Sequence, residues 1–179
     1  MRRTAKAVIF GIVYGISGFG LGENLDITAK EAKTYIDKYI ELYPEVNKYM
    51  KDIVEKTRSL GYVRTLFNRK RIIEEIKNTN YLIGSMGDRM ALNTPIQGTS
   101  ADILKLAMIK IDSELKKNNY KTKMLLQVHD ELIFEVPNEE LESIKELVRN
   151  IMEGIYKLSV PLKVEIEYGF KFGVTGVDL

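Results

Sequence analysis

The sequence predicts an α+β fold in which helices cover an antiparallel sheet that contains a β-hairpin. Three observations predict it: the helical period of the longest segments, two short apolar runs at hairpin spacing, and the absence of repeats or low-complexity linkers. A chain of 179 residues, with 45% hydrophobic and 29% charged residues, is large enough for one compact unit. This composition argues against the disordered and fibrous classes of protein.

Periodicity and cap residues place the elements in order along the chain. Helical spacing over 2–14 is followed by the glycine-rich run 15–22, which is expected to end the helix because helix interiors tolerate repeated glycine poorly. Thr28 and Glu31 form a capping box that starts the next helix. The same reasoning predicts, in chain order, a helix over 44–60, a strand over 62–67, a basic turn over 68–71, a helix over 81–92 that stops near Pro95, a helix over 97–117, a helix over 138–156 capped by Asn138, and a half-buried strand over 162–168.

The predicted hairpin carries the first candidate site. The runs 124–128 and 132–136 flank His129, Asp130 and Glu131, which we interpret as a three-residue connection with a charged tip and buried flanks. Carboxylates in such a place suit Mg²⁺, and Asp130 is the better candidate ligand. The alternative is that the charges only keep the turn solvated.

Composition limits which kinds of site the chain can form. It has no cysteine and a single histidine, which excludes disulfides, cysteine zinc sites, thiol nucleophiles and histidine-rich metal sites. Any metal must therefore be held by oxygen. The net charge of +2 conceals an asymmetry: residues 1–77 carry 15 basic and 10 acidic side chains, whereas residues 78–179 carry 12 and 15. One part is expected to prefer anions and another to gather cations, unless the split arises by chance on solvated helix faces.

The amino-terminal sequence has the order of a targeting signal, because three basic residues, Arg2, Arg3 and Lys6, precede the uncharged run 7–22. Glycines interrupt that run, no small-x-small cleavage site follows, and the run is too short to span a bilayer. We therefore expect a cytoplasmic protein without a membrane partner.

The first predicted helix presents two cations and two aromatics on neighbouring faces. Arg2 and Lys6 are four residues apart, and Phe10 and Tyr14 continue the same spacing. Cations that meet phosphates and flat rings that pack on a base or sugar together suit a nucleotide. The alternative is a basic helix end packed against protein.

A third candidate lies where the long helical segment begins. Arg89, Asn93 and Gln97 are spaced by four residues, and these are side chains that reach phosphates and groove edges of nucleic acid. Each also has an ordinary alternative: a surface charge, a helix cap and a turn residue, respectively.

The order and spacing of these segments resemble the carboxyl-terminal half of the polymerase region in family A DNA polymerases, the bacterial DNA polymerase I type. Residues 2–15 are similar to the fingers motif R-R-x-x-K-x-x-x-F-G-x-x-Y-G of that family. Residues 93–98 (Asn-Thr-Pro-Ile-Gln-Gly), followed by 101–103, resemble the segment leading into the palm helix, and 127–131 resemble the palm motif Q-V-H-D-E. The resemblance extends from Met1 to about Tyr168.

The resemblance implies an incomplete right-hand polymerase, with fingers helices and a basic hairpin over 1–77 and a palm portion over 78–179. It implies binding of a DNA template-primer and a dNTP, with nucleotidyl transfer assisted by two Mg²⁺ ions. The implied roles by position are dNTP binding for Arg2, Lys6, Phe10 and Tyr14; catalysis for Lys6, His129, Asp130 and Glu131, of which Asp130 and Glu131 are metal ligands; and DNA contacts for Arg69, Arg71, Arg89, Asn93, Gln97 and His129.

Departures from the family pattern shape the expected function. The family's D-Y-S-Q-I-E motif, whose aspartate is the other shared metal ligand, does not occur in the sequence. Ile9 stands where the family usually has Asn, and 170–179 does not resemble the usual terminus. We expect the chain to be inactive alone and to need an upstream polymerase chain that supplies the aspartate. The alternative is a catalytically inactive remnant that binds nucleic acid or a protein.

Overall fold

The predicted α+β fold is confirmed by the computed structural model, which describes the backbone of residues 2–170 and the side chains of residues 5–170. Strands in this range form two antiparallel pairs, β1 with β2 and β3 with β4. None of the helices described is long and apolar enough to cross a membrane. The elements are α1 Arg2–Val13, α2 Gly18–Leu25, α3 Ala29–Leu42, α4 Pro44–Leu60, β1 Tyr62–Arg64, β2 Lys70–Ile72, α5 Tyr81–Lys117, β3 Lys123–Val128, β4 Glu131–Glu135 and α6 Leu141–Gly154, with 3₁₀ turns at Glu75–Lys77 and Asn138–Glu140.

The residues group into two compact units that divide within α5. The first unit reaches to Thr99, and the second begins at Ser100. The family resemblance implies a fingers portion over 1–77 and a palm portion over 78–179, and that functional assignment stays a prediction.

Glycines after α1 serve close packing as well as chain reversal. The predicted end of the first helix is confirmed, and the glycine-rich run that follows also contains the start of α2. The Ser17 hydroxyl accepts a hydrogen bond from the Gly20 amide at 3.1 Å and so caps α2. Gly22 is buried, and a Cβ there would lie 2.9 Å from the Ile27 carbonyl oxygen. The absence of a side chain therefore lets α2 approach the chain that leads into α3.

The cap residues of α3 and α4 behave as predicted. Thr28 Oγ1 accepts from the Glu31 amide at 3.2 Å, and the Glu31 carboxylate accepts from the Thr28 amide at 3.0 Å. The Thr28 hydroxyl also donates to this carboxylate, at 2.8 Å, and that bond together with the one from the Thr28 amide lowers the pKa of Glu31. Pro44 opens α4, and Gly61 ends it with a φ of 78°.

The β1–β2 hairpin is shorter than the sequence indicates. The predicted strand over 62–67 ends at Arg64, and the predicted basic turn over 68–71 already contains the start of β2. Asn68 turns the chain with a φ of 63°, a conformation that Asn adopts more readily than most residues. The core of this unit consists of buried apolar residues from β1, α5 and the segment between β2 and α5: Val63, Ile73, Ile76 and Ala91.

The long helix α5 continues through Pro95, so the predicted stop near this residue is wrong. Proline has no amide hydrogen for the carbonyl of Ala91 and costs a helix interior about 3 kcal/mol. Burial outweighs that loss here: Ala91, Leu92 and Thr94 are all buried, and the Thr94 hydroxyl donates to the Met90 carbonyl oxygen at 2.6 Å. The two helices expected from the sequence are consequently one helix of 37 residues.

The hairpin of the second unit has a tighter connection than predicted. Glu131 is the first residue of β4 and lies opposite Val128, so the loop consists of His129 and Asp130 alone. The predicted three-residue connection is therefore wrong. His129 has a φ of 54°, which lets two residues reverse the chain.

Among the described residues only β4 of this hairpin packs against a core, so the predicted burial of both flanks holds in part for β4, whose apolar side chains are half-buried, and is wrong for β3. Leu125 is 51% exposed, Leu126 56% and Val128 39%, next to an irregularity in pairing between Met124 and Leu126. The core of the second unit is formed by α5, α6 and β4 with the residue that follows it, through Ile111, Leu115, Ile144, Val148, Leu132, Phe134 and Val136.

Two further predictions fail in this unit. Asn138 does not cap a helix over 138–156, because it lies in a 3₁₀ turn and α6 spans Leu141–Gly154. The predicted strand over 162–168 has the expected alternating exposure up to residue 167 but is not paired as a strand. Its Val164 amide instead donates to a carboxylate oxygen of Glu153 on α6, at 3.0 Å.

Candidate functional site

The polar and aromatic face predicted for the first helix is present on α1. Lys6 Nζ lies 5.7 Å from the centroid of the Phe10 ring, and the Phe10 and Tyr14 rings are 6.1 Å apart at 39°. Lys6 is exposed and Phe10 is 49% exposed, so the face is accessible in this chain. Arg2 is the first residue of α1, but its side chain lies outside the described part of the structure, and its contact stays a prediction.

Arg89, Asn93 and Gln97 follow one another at four-residue spacing along α5, as the sequence predicts. Arg89 and Gln97 are exposed. Asn93 Oδ1 is buried and accepts no hydrogen bond from any described residue. A buried acceptor without a donor is costly, so this oxygen has capacity for a ligand or a water.

The end of α1 lies against this part of α5. A Cβ at Gly15, where φ is 72°, would come 3.2 Å from Arg89 Cγ and 3.0 Å from Leu92 Cδ1. Only glycine fits this contact without strain. The aromatic end of α1 and the stripe formed by Arg89, Asn93 and Gln97 are therefore adjacent, which the sequence alone does not show.

Arg69 and Arg71 donate to α5. Arg69 Nη2 donates to the Gly98 carbonyl oxygen at 3.0 Å, and Arg71 Nη1 donates to Thr94 Oγ1 at 3.2 Å. Their predicted contacts with nucleic acid stay a prediction. In the structure both arginines also hold the β1–β2 hairpin against α5, which the basic turn predicted from the sequence did not indicate.

The hairpin tip presents the candidate metal ligands to solvent. His129, Asp130 and Glu131 are all exposed, and the Gln127 side-chain amide donates to the His129 carbonyl oxygen at 3.0 Å. Neither carboxylate at the tip has an ion pair or hydrogen bond among the described residues. Two exposed carboxylates fit Mg²⁺ as part of an oxygen shell. The described residues contain no group of three or more His, Cys, Asp or Glu side chains that could hold a metal ion.

A clamp at the other end of the hairpin was not predicted. The Glu140 carboxylate accepts bonds from the Lys121 amide at 2.8 Å, the Thr122 amide at 2.9 Å and the Thr122 hydroxyl at 2.6 Å. These bonds, led by the one from the Thr122 hydroxyl, lower the pKa of Glu140. The contact joins residues 18 positions apart on separate elements, so no local pattern could have indicated it.

The family assignment follows from comparison with known proteins. The model of the DNA polymerase family A matches residues 1–174. The chain belongs to DNA polymerase family A.

Curated members of family A agree with this assignment. DNA polymerase I of Caldicellulosiruptor bescii is 52% identical over 172 residues, which cover 96% of this chain and 20% of that protein. DNA polymerase I of Streptococcus pneumoniae is 54% identical over 161 residues, covering 90% of this chain and 18% of that protein. The chain therefore spans about a fifth of the length of the curated family A relatives it matches.

A solved polymerase domain has the same fold. The polymerase domain of Pol1 from M. smegmatis, in complex with DNA primer-template and dNTP, matches with a TM-score of 0.89 and 41% identity. The match covers 94% of this chain and 30% of that one. The predicted membership in family A and the fold of a polymerase domain fragment are thus confirmed.

Proposed function

We propose that this chain forms part of the active centre of a DNA-directed DNA polymerase, binding a DNA template-primer and a dNTP. The observation that carries the proposal is the pair of exposed carboxylates, Asp130 and Glu131, at the tip of a hairpin in a family A chain. The Pol1 neighbour, which was solved with primer-template and dNTP, supports the same substrates.

The residues of the first unit suit the nucleotide. Lys6 is exposed one turn before Phe10, so its ammonium can pair with phosphate oxygens while the ring packs against a base or sugar. Tyr14, 6.1 Å from Phe10, extends the flat surface along α1. Arg2 precedes Lys6 by one turn of the same helix and is the second proposed phosphate ligand.

The residues of α5 suit the duplex. Arg89 is exposed and can pair with a phosphate, while Gln97 can reach a groove edge. Asn93 is the third proposed contact on this stripe. Its Oδ1 is buried without a donor among the described residues, so contact with the duplex requires the side chain to turn outward.

The hairpin tip suits the reacting end of the primer. We assign Asp130 as a ligand of Mg²⁺, Glu131 as a nearby carboxylate, and His129 as a contact with the primer terminus. When bound, Mg²⁺ activates the attacking oxygen and neutralises charge that develops on the transferred phosphoryl group. The two carboxylates are too few for the shared site, so we propose that an aspartate from outside residues 1–179 completes it.

Primer extension tests this proposal. The chain alone should not extend a primer with Mg²⁺ and dNTPs, and a polypeptide carrying the upstream aspartate motif should restore extension. Asp130→Ala should abolish the restored activity. Asp112→Ala is the matched control, because Asp112 pairs with Lys116 on the surface of α5 at 2.7 Å. Extension that survives Asp130→Ala would contradict the assignment of this ligand.

One observation favours a second function, a binding module without catalysis. The described residues hold no complete set of metal ligands, whereas the exposed face of α1 and the stripe on α5 need no metal to bind. This alternative predicts duplex binding that persists when no upstream polypeptide restores extension. Extension in the reconstituted mixture excludes it.

A further inference from the structure

Three hydrogen bonds fasten the β1–β2 hairpin to one side of α5. Arg71 Nη1 donates to Thr94 Oγ1 at 3.2 Å, and Arg69 Nη2 donates to the Gly98 carbonyl oxygen at 3.0 Å. The Leu66 amide donates to Thr99 Oγ1, also at 3.0 Å. Their acceptors at 94, 98 and 99 follow helical spacing, so the hairpin contacts one continuous stripe of α5.

Packing along this stripe is tight. A Cβ at Gly98 would lie 2.6 Å from Thr65 Cγ2, so the hairpin approaches the helix as closely as a glycine allows. Thr65 and Thr94 are each 5% exposed. The Thr65 hydroxyl also accepts from the Arg69 amide at 3.2 Å, which closes the turn that carries this arginine.

The fastened stripe surrounds Pro95, where α5 lacks a backbone hydrogen bond. Pro95 leaves the Ala91 carbonyl without its usual amide donor, and Thr94 and Gly98 lie on either side of the proline in sequence. Asn93 and Gln97 are the residues immediately before Thr94 and Gly98. A change in the helix at Pro95 would therefore move both side chains proposed to face the duplex.

We propose that Arg69 and Arg71 are positioning residues, which contribute to duplex binding by holding α5 in place around Pro95 rather than by contacting phosphates. Each guanidinium has a donor engaged with α5. The inference rests on the proposed duplex binding for its effect on affinity, but the bracing itself can be measured without nucleic acid.

Salt dependence separates the two roles of Arg71. Binding of a fluorescent primer–template duplex is measured across a salt series for the wild-type chain and for Arg71→Met, Thr94→Val and the double variant. Bracing predicts that each single change weakens binding about fivefold, from the loss of one hydrogen bond of about 1 kcal/mol. The double variant should be no weaker than either single one, and the slope against salt should equal that of the wild type.

Direct phosphate contact predicts a different pattern. Arg71→Met would then reduce the magnitude of the salt slope by about 0.9, and Thr94→Val would leave affinity unchanged. That result would overturn the proposal. Thr94→Ser keeps the hydroxyl and should restore wild-type affinity. Arg64→Met is the matched control, because Arg64 donates within its own hairpin, to the Asn68 carbonyl oxygen at 3.0 Å.

Positioning also predicts coupling with a residue that Arg71 is not seen to contact. Gln97→Ala should weaken duplex binding in the wild-type chain and have no further effect in the Arg71→Met background. Equal losses in both backgrounds would overturn the proposal, because Arg71 would then affect duplex binding without affecting the contribution of Gln97.

Hydrogen exchange keeps the inference separate from the proposed function. Amides 96–99 should exchange faster in Arg71→Met and Thr94→Val than in the wild type and in Arg64→Met. Unchanged exchange in both variants would overturn the bracing. If these amides respond but the wild-type chain does not bind duplex, the proposed function fails and the bracing stands.

Discussion

Thr122 and Glu140 are joined twice, because the amide and the hydroxyl of Thr122 both donate to Oε2 of Glu140, at 2.9 and 2.6 Å. The Lys121 amide adds a third bond, to the other carboxylate oxygen. This carboxylate connects the turn that precedes α6 to the segment that enters β3. It therefore supports the hairpin whose other end carries Asp130.

We predict that Glu140→Gln lowers the thermal unfolding midpoint at neutral pH, because the amide cannot accept on both sides. Since the pKa of Glu140 is lowered in the fold, its stabilisation is present above the ordinary carboxyl pKa and lost as pH falls through the lowered value. Unfolding midpoints at several pH values test this, and the difference between variant and wild type should shrink in acid. Glu139→Gln is the control, since Glu139 is exposed and forms a long ion pair with Lys121, at 3.7 Å. An equal effect of both changes would contradict the clamp.

Gly98→Ala should destabilise the first unit by about 1–3 kcal/mol, the usual cost of overpacking. Its new methyl group would lie 2.6 Å from Thr65 Cγ2. Thr65→Ser removes that methyl group and should recover part of the loss in the double variant. Denaturant unfolding measures both effects. Gly154→Ala is the control, because nothing lies within 4 Å of its added Cβ.

Lys6→Ala should weaken dNTP binding by roughly 10- to 100-fold, since a hydrogen bond to a charged group contributes about 1.5–3 kcal/mol. The measurement is a fluorescence titration with a labelled dNTP, using the reconstituted polymerase if the chain alone does not bind. Lys30→Ala removes an exposed lysine from α3 and should leave affinity unchanged. A similar loss for both lysines would indicate a general charge effect.

His129→Gly should raise the unfolding midpoint while lowering extension by the reconstituted polymerase. Four described non-glycine residues have a positive φ: Asp26, Asn68, Asn119 and His129, the last with a φ of 54°. A side chain there costs about 1–2 kcal/mol, which glycine relieves in part. His129→Asn should keep most of the stability and lose the imidazole. Unchanged extension in both variants would contradict a contact between His129 and the primer.

Local signals in the sequence predicted the elements that depend on neighbouring residues. The capping box of Thr28 and Glu31, the proline that opens α4 and the glycine that ends it each act within about one turn, so a short window contains their physical cause. The face of Lys6, Phe10 and Tyr14 is predictable for the same reason, since one helix determines it.

Contacts between distant segments account for the errors. Pro95 has a helix-ending signal, but burial of its neighbours outweighs it. Arg69 and Arg71 bond to residues 29 and 23 positions away, so the local sequence around each arginine indicates only a basic side chain. Asn138 is a residue type that often caps helices. Glu140, two residues later, instead binds the chain before β3, and the helix begins after it.

The exposed apolar side chains of β3 predict self-association of the 179-residue chain. Leu125, Leu126 and Val128 present a short, uncharged, β-prone surface on a two-stranded sheet, and such edges pair with other copies of the same chain. Self-association should therefore rise with protein concentration. The substitution Leu126→Lys should reduce this self-association, because a charged side chain on the strand opposes pairing. Binding assays of the isolated chain should consequently be carried out at low protein concentration, with light scattering measured on the same samples.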